Sequence, residues 1–225
     1  FLMFPSPFPN DISFVCGDIS LTEDINLHFE ERKILESFGS QERKSEFILG
    51  RKIAHLALKK FRLESQPILR NPKTREPRWP ESVYGSITHS RGLAAVAIGL
   101  NTNILGIGID LEDLSRKISF KISRHICVDE ELYWLEKQVP ERANLNLRII
   151  FSAKESIFKC FFPRSRKYIP FKDAFVEINE EKSEFSYKLS KEYSNVINYK
   201  SDFNGIYSIK NKFLMTSTYL KNKHT

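Results

Sequence analysis

The sequence predicts an α+β fold of two similar α/β halves, each a small antiparallel sheet packed on helices, with residues 1–112 forming the first half and 113–225 the second. Three observations carry this expectation. Apolar residues recur at helical spacing over 27–63, 117–137 and 142–162. Short apolar or alternating runs bounded by turn residues read as strands over 84–112 and 171–220. The order helix, three strands, two helices, three or four strands then repeats in outline, although no residue-level repeat accompanies it.

Each element has its own signal. Leu35 and Phe38 precede a break at Gly39-Ser40, after which Phe47, Ile48, Ile53, Ala54, Leu56, Ala57, Leu58 and Phe61 form a stripe close to period 3.6. Four prolines between Pro67 and Pro80 make the next stretch irregular. Tyr84–His89, Leu93–Leu100 and Ile104–Glu112 read as three strands joined by Ser90-Arg91-Gly92 and Asn101-Thr102-Asn103, a meander that favours antiparallel pairing. Ile122, Ile126, Leu132 and Leu135 share one side of a predicted helix over 117–137. Ile150, Ala153, Ile157 and Phe161 do so over 142–162, with Pro163 expected to end the helix. In the tail, 174–178, 185–189, 206–209 and 213–215 read as a second small sheet.

Composition narrows the function classes. The chain has 225 residues, 41% hydrophobic and 28% charged, which is globular and long enough to bury a core without covalent staples. The longest small-apolar run, Gly92–Leu100, is nine residues, against about 20 for a membrane-spanning helix, so no membrane role is expected. Phe1–Phe4 is apolar but is followed by Pro5, Pro7 and Pro9 and lacks a basic flank, so it is not read as a signal peptide. Cys16, Cys127 and Cys160 are odd in number and far apart, which predicts free thiols in a reducing, cytoplasmic setting and no cysteine-based zinc site. Neither GxGxxG nor GxxxxGK[ST] occurs. Lys plus Arg total 35 against 28 Asp plus Glu, a net +7 that suits an anionic partner. Basic residues cluster at Arg43-Lys44, Arg51-Lys52, Lys59-Lys60 and Arg164–Lys167, but there is no run of five, no zinc-finger spacing and no aromatic RNA-binding motif. Nucleic acid is therefore not the expected partner.

Three constellations carry chemistry. In Gly106-Ile107-Gly108-Ile109-Asp110-Leu111-Glu112, strand alternation puts Ile107, Ile109 and Leu111 on one face and Gly106, Gly108, Asp110 and Glu112 on the other. The second face then offers two carboxylates to a hard cation, beside two positions where a ligand could approach the backbone. Taken alone, such a pair is ordinary for a solvated strand end. In Phe151-Ser152-Ala153-Lys154-Glu155-Ser156-Ile157-Phe158-Lys159, Glu155 and Lys159 lie one helical turn apart, and alone they are a surface ion pair. A capping box of Ser152 with Glu155 is set aside, because the apolar stripe already runs from Leu147. The functional reading makes Glu155 a third carboxylate for the metal, next to cations for a phosphate. In Gly85-Ser86-Ile87-Thr88-His89-Ser90, His89 closes a strand before a tight turn, where it can donate to a phosphate. A histidine there is also commonly structural.

In this order the three segments resemble the signature motifs of the 4′-phosphopantetheinyl transferases of the larger, monomeric Sfp-like type. The resemblance is nearest to the branch containing the enterobactin-synthase component and its actinobacterial relatives. Arg43-Lys44-Ser45-Glu46-Phe47 leading to Gly50-Arg51, Arg75-Glu76-Pro77-Arg78-Trp79-Pro80, and Lys167-Tyr168-Ile169-Pro170-Phe171 are similar to that branch as well. The likeness spans roughly residues 40–175. It implies two similar halves with the active site between them, Mg²⁺, and coenzyme A as substrate. The implied reaction moves phosphopantetheine to a serine of an acidic acyl or peptidyl carrier protein, releasing 3′,5′-ADP. Position by position, it implies Asp110, Glu112 and Glu155 as metal ligands, Glu155 also as general base, and Lys159 at the pyrophosphate with Lys154 as its motif neighbour. It further implies His89 and Thr88 at the coenzyme, with Thr88 standing where serine is commoner. Arg43 and Arg51 would lie near the 3′-phosphate and Arg70 would be a further basic contact, a role that Lys73 or Arg75 could take instead. A non-catalytic coenzyme A or carrier-protein binding module is the alternative from another function class.

Overall fold

In the computed structural model, residues 4–22, 24–193 and 203–222 are described. Phe1–Met3 and part of the predicted tail sheet, residues 194–202, lie outside them. The chain runs β1 (Ile12–Gly17), α1 (Phe29–Glu36), α2 (Gln41–Leu58), β2 (Leu69–Arg70), β3 (Pro77–Arg78), β4 (Val83–Ser90), β5 (Leu93–Leu100) and β6 (Ile104–Asp113). It continues with α3 (Ser123–Ile126), α4 (Asp129–Glu136), α5 (Pro140–Ser165), β7 (Ala174–Asn179), β8 (Glu184–Leu189), β9 (Phe203–Lys210) and β10 (Phe213–Lys221).

The stripe predicted over 27–63 forms two helices. α1 begins with a capping box in which His28 accepts from Glu30 N while Glu31 accepts from His28 N at 3.0 Å. α2 starts at Ser40, whose hydroxyl accepts from Arg43 N. Leu49, Ile53, Ala54, Ala57 and Leu58 of α2 pack against Ala94, Val96 and Ile98 on one face of β5. Leu93, Ala95 and Ala97 cover the other face, in a second core with Ile107, Ile109 and Leu111. β5 is covered on both sides, which is why it reads as a continuous apolar run.

β5 is the centre of an antiparallel three-stranded sheet in the order β1-β5-β4. The predicted meander therefore ends after two strands. β1 already holds the other edge of β5, and β6 joins a five-stranded antiparallel sheet in the order β6-β10-β9-β8-β7, with Asp110 opposite Thr216. β4 and β6 still lie side by side, joined by side chains rather than a backbone ladder. The Ser86 hydroxyl accepts from Ile109 N at 3.2 Å, and the Thr88 hydroxyl from Leu111 N at 3.1 Å.

The helix predicted over 117–137 is broken at Cys127-Val128 into α3 and α4, where Val128 N donates to Glu131 at 2.8 Å. α5 runs through Pro163 and ends at Arg166, which is left-handed at φ 54°. A proline in the last turn forfeits a single backbone bond, so the helix ends two residues later than expected. α5 lies against the five-stranded sheet over a core that includes Leu147, Ile150, Ala153, Ile157, Phe161 and Tyr187. It touches β6 backbone to backbone: a Cβ on Gly106 would sit 2.3 Å from Cys160 O, and one on Gly108 1.7 Å from Ser156 O. The space beside these glycines, read from sequence as room for a ligand, is filled by α5. No helix among the described residues is long and apolar enough to cross a membrane.

Gly108→Ala is expected to destabilise the fold by about 3 kcal/mol or more, at the upper end of overpacking costs. A Cβ on Gly39 would meet nothing within 4 Å. Gly39→Ala is therefore expected to change stability by about 0.5 kcal/mol or less. Urea titration of the two variants checks this, and equal midpoints would contradict the close β6–α5 contact.

Candidate active site

Asp110 sits where β6, β4 and α5 meet, and is 6% exposed. Oδ2 accepts from the Ser152 hydroxyl at 2.9 Å, and Oδ1 accepts from Lys159 Nζ at 2.6 Å and from the Thr88 hydroxyl at 3.5 Å. Lys159 also donates to Ile109 O at 3.2 Å. Ser152 is itself anchored by β10, where the Thr216 hydroxyl donates to Ser152 O at 2.8 Å. Donors on β4 and α5, with Ser152 backed by β10, thus hold one buried carboxylate in place.

Glu112 and Glu155 flank it. Burial, then the Asp110 charge and more weakly that of Glu155, push the Glu112 carboxyl up to about 7, with Arg148 and Lys159 opposing. Burial raises Glu155 as well, against the pull of Lys159. Arg148 Nη2 is 3.8 Å from Glu112 Oε2, and its guanidinium donates to the carbonyls of Asp113 and Arg116. Among the described residues no three acidic, histidine or cysteine side chains form a ready cage for one ion. The three acids share a field rather than a closed coordination shell, and the Lys159 ammonium already rests on Asp110.

On the other side of β4, a cavity of about 860 Å³ opens between α1, α2 and the β2–β3 hairpin. Its wall carries Lys33, Arg43, Arg51, Arg70, Arg75 and His89. Arg51 is buried over the Phe47 ring and donates to Leu69 O at 3.3 Å. Burial lowers its pKa to about 10, so it is still charged near neutrality. Burial, then Arg75 and Arg43, lower Arg70, which stacks over Phe38 at 5.0 Å. Burial holds His89 below the usual histidine range; Glu46, 3.6 Å away, works against this and Lys159 with it. A second cavity of about 260 Å³, lined by Trp79, Ile87, Phe158, Lys159, Phe162 and Pro163, shares Arg75, Pro77 and Ile87 with the first. Lys159 stands at its edge, and the buried Trp79 Nε1 has no partner there.

The structure therefore brings Asp110, Glu112, Glu155, Lys159 and Thr88 together, and sets Arg43, Arg51, Arg70, Arg75 and His89 around the adjoining cavity. Lys73 does not line it, whereas Arg70 and Arg75 both do. Lys154 is not brought to the cluster. It is 2% exposed, and its Nζ donates to Glu131 at 2.6 Å and to Ile126 O at 2.9 Å, so its charge is spent inside the second half. Residues that sequence reasoning missed are Ser152, Thr216, Arg148, Glu46 and Lys33. Arg148 carries a signal in hindsight, a cation inside the apolar run Leu147–Ile150. Thr216 carries none, because only the β6–β10 register places it beside Asp110.

Residues 30–99 match the model of the 4′-phosphopantetheinyl transferase N-terminal domain, and residues 106–209 that of the 4′-phosphopantetheinyl transferase superfamily. The chain is 31% identical over 134 residues to 4′-phosphopantetheinyl transferase PptT of Mycobacterium tuberculosis, covering 60% of this chain and 58% of that protein. It is 30% identical over 160 residues to 4′-phosphopantetheinyl transferase Npt of Nocardia iowensis, covering 71% and 69%. With enterobactin synthase component D of Salmonella typhimurium it shares 31% identity over 164 residues, covering 72% and 67%. With matched segments spanning the cavity, the acidic cluster and α5, the chain belongs to the 4′-phosphopantetheinyl transferase superfamily.

Proposed function

We propose that this protein transfers 4′-phosphopantetheine from coenzyme A to a serine of an acyl or peptidyl carrier protein, releasing 3′,5′-ADP. The observation that carries the reading is a lysine resting on a buried aspartate, beside two further carboxylates, at the edge of a small cavity that adjoins an arginine-walled one. A nucleotide with several phosphates needs such a wall, and a transferred phosphoryl group needs cations and acids held in fixed positions.

In this reading Arg43, Arg51, Arg70 and Arg75 receive the nucleotide and its 3′-phosphate, and His89 donates to a phosphate. Thr88 holds Asp110, and Lys159 swings from Asp110 to the pyrophosphate. The smaller apolar cavity suits the pantetheine arm, with the Trp79 N–H free for an amide carbonyl. In this reading the active site lies where the three-stranded and five-stranded sheets meet, with β6 on the side of the second. Hard carboxylate oxygens, and an ammonium already seated on Asp110 as a stand-in cation, fit a divalent ion. Asp110, Glu112 and Glu155 would hold Mg²⁺, which supplies Lewis acidity to the pyrophosphate. A serine hydroxyl is a poor nucleophile near neutrality, and Glu155, its pKa raised by burial, is suited to take the proton. A net charge of +7 favours an acidic carrier through long-range steering. The reading takes the enzyme as a cytoplasmic monomer.

Mass spectrometry of an apo-carrier protein incubated with the enzyme, coenzyme A and Mg²⁺ tests the reading. The carrier is expected to gain one phosphopantetheine, and Asp110→Ala or Glu155→Ala to slow this by about 100-fold or more while remaining folded. Coenzyme A binding with no change in carrier mass would instead favour a binding module. A second expectation follows from Glu112. Its folded pKa of about 7 lies above the ordinary 4.5, so the native state binds the extra proton between those values. Stability of the ligand-free protein then falls as pH rises through that window. Glu112→Gln should melt higher than wild type at pH 8 and at the same temperature below pH 4.5. A variant that tracks wild type across the range would contradict the crowded-acid geometry.

A further inference from the structure

Glu31 lies outside the motifs discussed so far, yet its carboxylate is completely buried. It accepts from His28 N at 3.0 Å at the start of α1 and from Ile68 N at 2.9 Å just before β2. It also meets His55 Nε2 of α2 at 2.9 and 3.0 Å. These three elements carry cavity-wall residues: Lys33 on α1, Arg43 and Arg51 on α2, and Arg70 on β2.

The chemistry of the pair is constrained from both ends. His55 Nδ1 lies 2.9 Å from Glu64 O, so the ring is held at both nitrogens. The two contacts fix the ring between the Glu64 carbonyl and the Glu31 carboxyl. The His55 ring and two backbone N–H groups more than offset burial, and the Glu31 carboxyl stays below its usual range. The same negative charge opposes the desolvation of Arg51. A buried anion thus ties three elements together and favours the charged form of a buried guanidinium in the cavity wall.

We propose that Glu31, acting with His55, is a positioning residue for the nucleotide cavity: it sets Arg51 and the α1–α2–β2 wall for phosphate binding without touching the ligand. This rests on the coenzyme A reading above. An acid that served only to stabilise the fold would lower the melting temperature and leave the affinity of the remaining folded protein intact. A positioning residue moves nucleotide affinity specifically.

The test is isothermal titration of full-length wild type and Glu31→Gln with 3′,5′-ADP, well below the melting temperature, together with steady-state kinetics. Glutamine keeps the shape and one acceptor but loses the charge. The expected result is a Kd for 3′,5′-ADP and a KM for coenzyme A raised about 10-fold or more, the size of one lost buried charge-assisted bond. The carrier KM and kcat at saturating coenzyme A should stay within about 2-fold, because the acidic cluster is built from other elements. His55→Gln, read in the same way, gives a second measurement should Glu31→Gln fail to fold. Unchanged 3′,5′-ADP affinity in either folded variant overturns the positioning role alone. A wild type that does not bind 3′,5′-ADP at all sinks the coenzyme A reading, and this inference with it.

Discussion

The molecule depends on how β6 is held. One edge of the strand pairs with β10, and the other faces β4, which offers hydroxyl groups in place of a ladder. Ser86 and Thr88 satisfy two buried backbone N–H groups that would otherwise be orphaned where the two sheets abut. From the side, α5 comes so close that only glycine fits at 106 and 108. With register, height and distance all fixed, Asp110 can only emerge among Thr88, Ser152 and Lys159. The acidic cluster is thus a consequence of two sheets meeting without merging.

The electrostatics follow from the same crowding. Three carboxylates and a lysine share a small, partly desolvated volume, and burial together with the Asp110 charge pushes Glu112 and Glu155 towards the protonated form. The cavity beyond β4 is its complement, a wall of guanidinium groups stacked on Phe47 and Phe38. Each region is strained alone and relieved by a ligand of the opposite charge. A nucleotide bearing phosphates at both ends, with a divalent cation, meets both requirements at once.

Much of this is written in local sequence. Alternation along Ile107, Ile109 and Leu111 identifies the core face of β6, and the turn between Glu155 and Lys159 places them together on α5. What local pattern does not contain is partnership. β6 follows β5 after a three-residue turn and reads as its neighbour, yet it pairs with β10 more than 100 residues later, because β1 already holds the free edge of β5. Lys154 sits in the motif beside Glu155, but on a helix adjacent residues point about 100° apart. One therefore faces the cluster and the other Glu131. The glycines of β6 read as space for a ligand because sequence shows the missing side chain and not the helix that fills the gap.

Anomalous diffraction from crystals soaked with Mn²⁺ and coenzyme A tests the central claim most directly. The account requires a single strong peak within ligating distance of Asp110 and of at least one of Glu112 and Glu155, with Lys159 turned from Asp110 onto phosphate oxygen. A peak elsewhere, or a Lys159–Asp110 pair left intact with the nucleotide bound, would contradict it.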